Sequence, residues 1–181
     1  MTKIELEKCI NEHGSEIFSF CRYLTGSVQE GEELYQDCFL HALELETKGK
    51  QGDNPKSYLL SIAINLWKNK RRKYAWRKRI LKMDSLEQVT DTYGEQMVMV
   101  PGEEAQPEEV MLSKEQSEQV RKHLAVLPEK YKLPLYLYFA AELSIKEMAV
   151  CLKIPEGTVK SRLHKGKQLM KERLEEMEYD R

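Results

Sequence analysis

Between Gly157 and Lys171 the chain carries five basic side chains and no acidic one. At helical spacing Ser161, His164, Lys165 and Gln168 fall on one side, flanked by Thr158, Lys160 and Arg162, with Lys167 one turn further on. Val159, Leu163, Gly166 and Met170 fall on the other side. Hydroxyls, an imidazole, an amide and cations without interspersed carboxylates suit base edges and phosphates. An ordinary solvated helix has little reason to exclude acids over four turns.

A second basic stretch, NPKSYLLSIAINLWKNKRRKYAWRKR, begins at Asn54. Helical projection directs Tyr58, Leu59, Ile62 and Leu66 to a core, and Ser57, Ser61, Ile64, Lys68 and Arg71 to the opposite face, with Asn65 and Arg72 beside them. Trp67, Tyr74 and Trp76 are interleaved with the cations. Small polar groups, positive charge and rings are what an unstacked single strand requires, because bases stack on rings while cations follow phosphates. An acidic protein partner, or plain solvent with the tryptophans in the core, remains an alternative for this stretch taken alone. A third stretch has the opposite sign. Glu30, Glu33, Asp37 and Glu44 share a face, with Gln36 and Leu40 close by, which suits docking on a basic partner or an ordinary solvated surface. No nucleophile–base pair, metal-ligand cluster or phosphate-cradling glycine loop accompanies these stretches, so a binding protein without cofactor or catalysis is expected.

The elements that position these groups read as helices. Residues 3–12 and 15–25 form two short amphipathic segments, with Gly14 and Gly26 as breaks. Ser27, with Glu30 three residues on, opens a helix to about Glu46 whose Leu34, Tyr35, Cys38, Ala42 and Leu45 share a face. Another helix starts near Pro55 and runs to about Lys82. Further helices are expected at about 113–126, 128–141, 144–152 and 155–177. In the segment 144–167, Ile145, Met148, Ala149 and Leu152 make a short apolar stripe; Lys153, Ile154 and Pro155 turn the chain; and Pro155 suits the first turn of the next helix. Ile154, Val159 and Leu163 close the core between the two. This is the helix-turn-helix pattern, whose second helix enters the DNA major groove.

Bulk properties agree with two small domains. The net charge of −1 hides segregation: residues 51–83 hold ten basic groups against Asp53, and 84–112 hold eight acidic groups and no lysine or arginine. The acidic stretch contains Pro101, Gly102 and Pro107 and lacks periodicity, so it reads as a flexible linker between an N-terminal domain (1–83) and a C-terminal one (113–181). The expected fold class is therefore all-α, with two helical domains. No apolar run approaches the roughly 18 residues of a membrane span, and no signal peptide is evident, so a cytoplasmic location is expected. Cys9, Cys21, Cys38 and Cys151 lie far apart with no C-x-x-C pair, which predicts reduced core thiols.

In this order the segments EGEELYQDCFLHAL (30–43), NPKSYLLSIAINLWKNKRR (54–72) and LPEKYKLPLYLYFAAELSIKEMAVCLKIPEGTVKSRLHKGKQLM (127–170) resemble the sigma factors of bacterial RNA polymerase, in particular the extracytoplasmic-function group. The string IPEGTVKSRL is the most specific part. The resemblance implies that Glu30, Glu33, Gln36 and Asp37 meet core RNA polymerase. It implies that Asn54, Ser57, Ser61, Asn65, Lys68, Arg71 and Arg72 handle the melted −10 strand of promoter DNA. Thr158, Lys160, Ser161, Arg162, His164, Lys165 and Lys167 would read the −35 duplex. An anti-sigma factor, often membrane-anchored, is a further implied partner. Tyr58 stands where the family often has tryptophan, and Asn69 where it often has an acid. Two rival functions remain: a stand-alone helix-turn-helix regulator binding an operator as a homodimer, and an RNA-binding or protein-docking module.

Overall fold

A computed structural model describes residues 3–46, 54–84, 123–124 and 126–179, and all regular structure among these is helical. The chain divides into two compact units, one within residues 1–97 and the other within 98–181. The acidic segment read as a linker and most of the helix expected at 113–126 lie outside the described residues.

The first unit is built from α1 (Lys3–Thr25), α2 (Val28–Glu46) and α3 (Pro55–Asp84), each packed on the other two. Ile17, Phe20, Cys21 and Leu24 of α1 meet Leu34, Cys38 and Ala42 of α2 and Leu59, Leu60, Ala63 and Ile64 of α3, all buried. Burying a large apolar side chain contributes about 1.5–3 kcal/mol, so this core explains how a three-helix unit holds together. The expected break at Gly14 does not occur, because α1 runs through it without interruption. Gly14 serves packing instead: a Cβ there would lie 3.0 Å from the Tyr35 hydroxyl oxygen. The break at Gly26 is real. Its φ of 71° is left-handed, and its N–H donates to the Arg22 carbonyl at 2.9 Å, which caps α1. Ser27 Oγ then accepts from the Glu30 N–H at 3.4 Å and opens α2. Asn54 does the same for α3, its Oδ1 accepting from the Ser57 N–H at 3.2 Å, with Pro55 at the first helical position.

One placement on α3 is corrected. Ile64, expected on the polar face, is 1% exposed. The first three turns of α3 lie against both α1 and α2, so Leu59, Leu60, Ile62, Ala63, Ile64 and Trp67 are all buried, a band too wide for a single stripe.

The second unit comprises α4 (Glu129–Phe139), α5 (Ile145–Leu152) and α6 (Glu156–Tyr179). Leu133, Leu135 and Leu137 of α4 pack with Met148, Cys151 and Leu152 of α5 and Val159 and Leu163 of α6. Helix α4 passes through Pro134, which forgoes one helical hydrogen bond and is fully buried. Lys132 is buried as well, at 4% exposure, and burial pushes its ammonium below the ordinary lysine value.

Candidate nucleic-acid interfaces and docking face

The turn between α5 and α6 is fixed at both ends by its own residues. Ser144 caps α5 reciprocally: its Oγ accepts from the Glu147 N–H at 3.3 Å, and its N–H donates to Glu147 Oε2 at 2.8 Å. Helix α5 ends at Lys153, whose φ of 55° is left-handed. The Ile154 N–H reaches back to the Ala149 carbonyl at 3.1 Å. Pro155 stands just before α6 rather than inside its first turn, and its carbonyl accepts from Thr158 and Val159 at 2.9 and 3.1 Å. Val159 and Leu163 are buried, and Gly166 sits against Leu135, where a Cβ would lie 3.1 Å from the leucine carbons. The seating of these three residues turns Lys160, Ser161, His164, Lys165, Lys167 and Gln168 outward, all exposed, with Thr158 and Arg162 half-buried beside them.

Several of these side chains already have partners. Lys165 Nζ donates to Gln168 Oε1 at 3.2 Å, and Gln168 Nε2 donates to Glu172 Oε1 at 2.8 Å. The Lys167 ammonium lies 4.7 Å from the Tyr138 ring centre and 5.1 Å from that of Phe139, a cation–π seat shared by two exposed rings. Sequence reading missed this link between α4 and α6, since aromatic residues at the end of one helix say nothing of the lysine they face.

On α3 the polar groups lie along one side. Ser57, Ser61 and Asn65 are half-buried, and Lys68, Arg71 and Arg72 exposed. Ser57 Oγ donates to the Asn54 carbonyl (3.0 Å), Ser61 Oγ to that of Tyr58 (2.7 Å), and Asn65 Nδ2 to that of Ser61 (2.7 Å). Both serine hydroxyls and one of the two Asn65 amide N–H groups are thus donated within the helix, so this face combines acceptor oxygens with the second Asn65 N–H donor. Arg72 Nη2 donates to Asn69 Oδ1 at 2.6 Å, a use for the asparagine that an acid could also serve. Trp67, expected among the stacking rings, is 6% exposed and carries the Arg71 guanidinium 4.8 Å above its centre. It is a core residue and a seat for Arg71. Tyr74 and Trp76 are exposed.

The acidic stripe on α2 is exposed at Glu30, Glu33, Gln36, Asp37 and Glu44, with Leu40 60% exposed beside it. Lys70 of α3 approaches it, 3.2 Å from Glu33 and 3.8 Å from Asp37. The four cysteines are buried free thiols. Among the described residues no cluster of His, Cys, Asp or Glu is placed to hold a metal ion, and no helix is long and apolar enough to cross a membrane.

Comparison with known proteins supplies the family. Residues 9–77 match the family described as Sigma-70 region 2, and residues 117–170 the one described as Sigma-70, region 4. The ECF RNA polymerase sigma factor SigW of Bacillus subtilis (strain 168) is 28% identical over 169 residues, spanning 93% of this chain and 88% of SigW. The chain belongs to the extracytoplasmic-function sigma factors. Another relative of the group, SigE of Mycolicibacterium smegmatis, is 23% identical over 168 residues, which are 93% of this chain and 61% of SigE. The fold of this sigma factor also matches RpoE, solved in complex with the anti-sigma factor NepR from Bartonella quintana. The TM-score is 0.70 at 19% identity, over 96% of this chain and 98% of RpoE. As a sigma factor the protein directs transcription initiation. That assignment accounts for α2 and α3 together with the helix-turn-helix, whereas a stand-alone regulator left the first unit without a role.

Proposed function

We propose that the two units of this sigma factor divide promoter reading between them. The outward face of α6, with Thr158, Lys160, Ser161, Arg162, His164, Lys165 and Lys167, enters the major groove of the −35 element. The observation that carries this is the exposed face of α6 between Gly157 and Lys171, a stretch with no acidic residue, held by a capped α5 and a short turn in the arrangement that presents a helix to a groove. Asn54, Ser57, Ser61, Asn65, Lys68, Arg71 and Arg72 of the first unit hold the −10 strand once it opens. Base extrusion costs a few kcal/mol, offset by phosphate contacts and stacking. Glu30, Glu33, Gln36 and Asp37 dock on a basic surface of core RNA polymerase, with Leu40 as an apolar contact within the stripe.

The protein supplies specificity and leaves the chemistry of RNA synthesis to polymerase. Domain limits of 1–83 and 113–181 fit this division, with the acidic 84–112 segment spanning the two promoter elements and avoiding the template by like charge. The cytoplasm is the compartment where the promoter and polymerase are found. An anti-sigma factor is the natural regulator, as RpoE's complex with NepR illustrates for a protein of the same fold. Run-off transcription with purified core polymerase tests the whole reading. Promoter-specific transcripts should appear only when this protein is added. Nanomolar, sequence-specific duplex binding by the protein alone, with no stimulation of polymerase, would favour the dimeric operator-binding regulator instead.

A further inference from the structure

The helical register of α3 places one large exposed ring on the face that carries its polar groups. Asn65, Asn69, Arg72 and Trp76 follow one another at intervals of four, three and four residues, the spacing that keeps side chains on one face of a helix. Trp76 is 62% exposed, whereas Trp67 is 6% exposed and lies beneath Arg71. No base can reach the face of Trp67. Tyr74 is exposed too, but it falls two residues from the line and follows Lys70 around the other side of the helix. Around Trp76 the side chains of Arg72, Lys73, Arg77 and Arg79 are exposed, and no acidic residue occurs from Asn54 to Met83.

We propose that Trp76 is a stacking site for an unpaired base of the open promoter strand, one turn beyond Arg72. The inference rests on the assignment of α3 to that strand and adds a specific contact at its far end. Four residues of helix advance about 6 Å, room for one or two nucleotides at about 3.4 Å each. The surrounding cations would follow the phosphates while the indole takes the base, the pairing of groups that single-strand sites use. Because every base has an aromatic face, this contact adds affinity and reach without selecting sequence.

The test uses holoenzyme assembled from core polymerase and the full chain, titrated with labelled single-stranded oligonucleotides carrying the −10 sequence. These are lengthened one nucleotide at a time from either end. With the native chain, affinity should rise about five- to a hundredfold at the step that reaches Trp76. Trp76→Ala should abolish that step while the shorter oligonucleotides and promoter duplex bind as before, and Trp76→Phe should keep most of it. An identical step in Trp76→Ala would overturn the inference. So would equal weakening of every oligonucleotide and of duplex, or a loss confined to core-polymerase affinity, which would make Trp76 a protein contact. Arg72→Ala separates the two levels. If it weakens strand binding and Trp76→Ala does not, only the stacking site is lost; if neither does, the assignment of α3 to the strand fails with it.

Discussion

Lys70 on α3 holds its ammonium 3.2 Å from the Glu33 carboxylate on α2, so the helix assigned to the open strand is ion-paired to the stripe assigned to polymerase. Asp37 lies 3.8 Å from the same nitrogen. All three side chains are substantially exposed, and exposed pairs of this kind contribute about 0–1 kcal/mol to stability. The cluster is therefore easily exchanged for a stronger partner, and its residues can be altered without endangering the fold.

Charge reversal at Glu33 and Asp37 should accordingly weaken binding to core polymerase while leaving helix content unchanged by circular dichroism. The loss is one of cross-interface attraction, and it should diminish as salt is raised. Competition against another sigma factor for limiting core enzyme measures it. Unchanged competition would reduce the stripe to a solvated surface.

The two promoter-reading surfaces should fail differently. Arg162→Ala or Lys165→Ala should lower discrimination for the upstream element by about five- to a hundredfold, equivalent to about 1–3 kcal/mol per lost base contact. A template already melted at −10 should still be transcribed. Alanine at Lys68, Arg71 and Arg72 should leave closed complexes and reduce permanganate reactivity of −10 thymines. Equal loss of duplex binding in both sets, with no change on the melted template, would contradict the division of labour.

Much of the second unit was legible in the sequence because local chemistry and tertiary role coincide there. Ile145, Met148 and Leu152 recur at helical spacing, Pro155 marks a helix start, and Val159 and Leu163 recur at core spacing. The first unit was harder. A glycine inside a helix carries the same local signal whether it breaks the helix or admits a neighbour, and Gly14 does the latter because Tyr35 lies against it. Periodicity also assumes one buried face, which fails where α3 is covered from two sides, so Ile64 falls in the core rather than on the polar face, and of the two readings open for Trp67 the core one holds. The burial of Lys132 and the seat of Lys167 between two rings depend on contacts that no window along the chain contains.

Glycine substitutions separate propensity from packing. Gly157→Ala meets nothing within 4 Å and should stabilise the second unit by up to about 1 kcal/mol. Gly166→Ala gains the same propensity but crowds Leu135 at 3.1 Å, and overpacking costs about 1–3 kcal/mol. Its melting temperature should fall below that of Gly157→Ala by several degrees. Thermal unfolding followed by circular dichroism decides the order.

The thiols should be chemically silent in the native protein. Burial pushes Cys21 and Cys151 up to about 12 from an ordinary 9.0, and raises Cys9 and Cys38 as well. At neutral pH none should react with a disulfide reagent until the chain unfolds. Their raised folded values also fix a sign. The stabilisation is complete below pH 9, and is lost as pH climbs from there toward 12, because only the unfolded chain then releases the protons. Urea unfolding at pH 8 and pH 10 should show lower stability at the higher pH, with a smaller drop in a Cys21→Ala, Cys151→Ala double variant.

At Gly31 the helices α1 and α2 come so close that a Cβ would lie 2.8 Å from the Cα of Arg22. With the Arg22 backbone and Cγ this near, little side-chain layer separates α2 from α1 at the start of the acidic face. A face held this way surrenders little conformational entropy when it docks. Loosening the crossing should then shorten the lifetime of the polymerase complex more than it slows its formation, even though every charged contact remains in place.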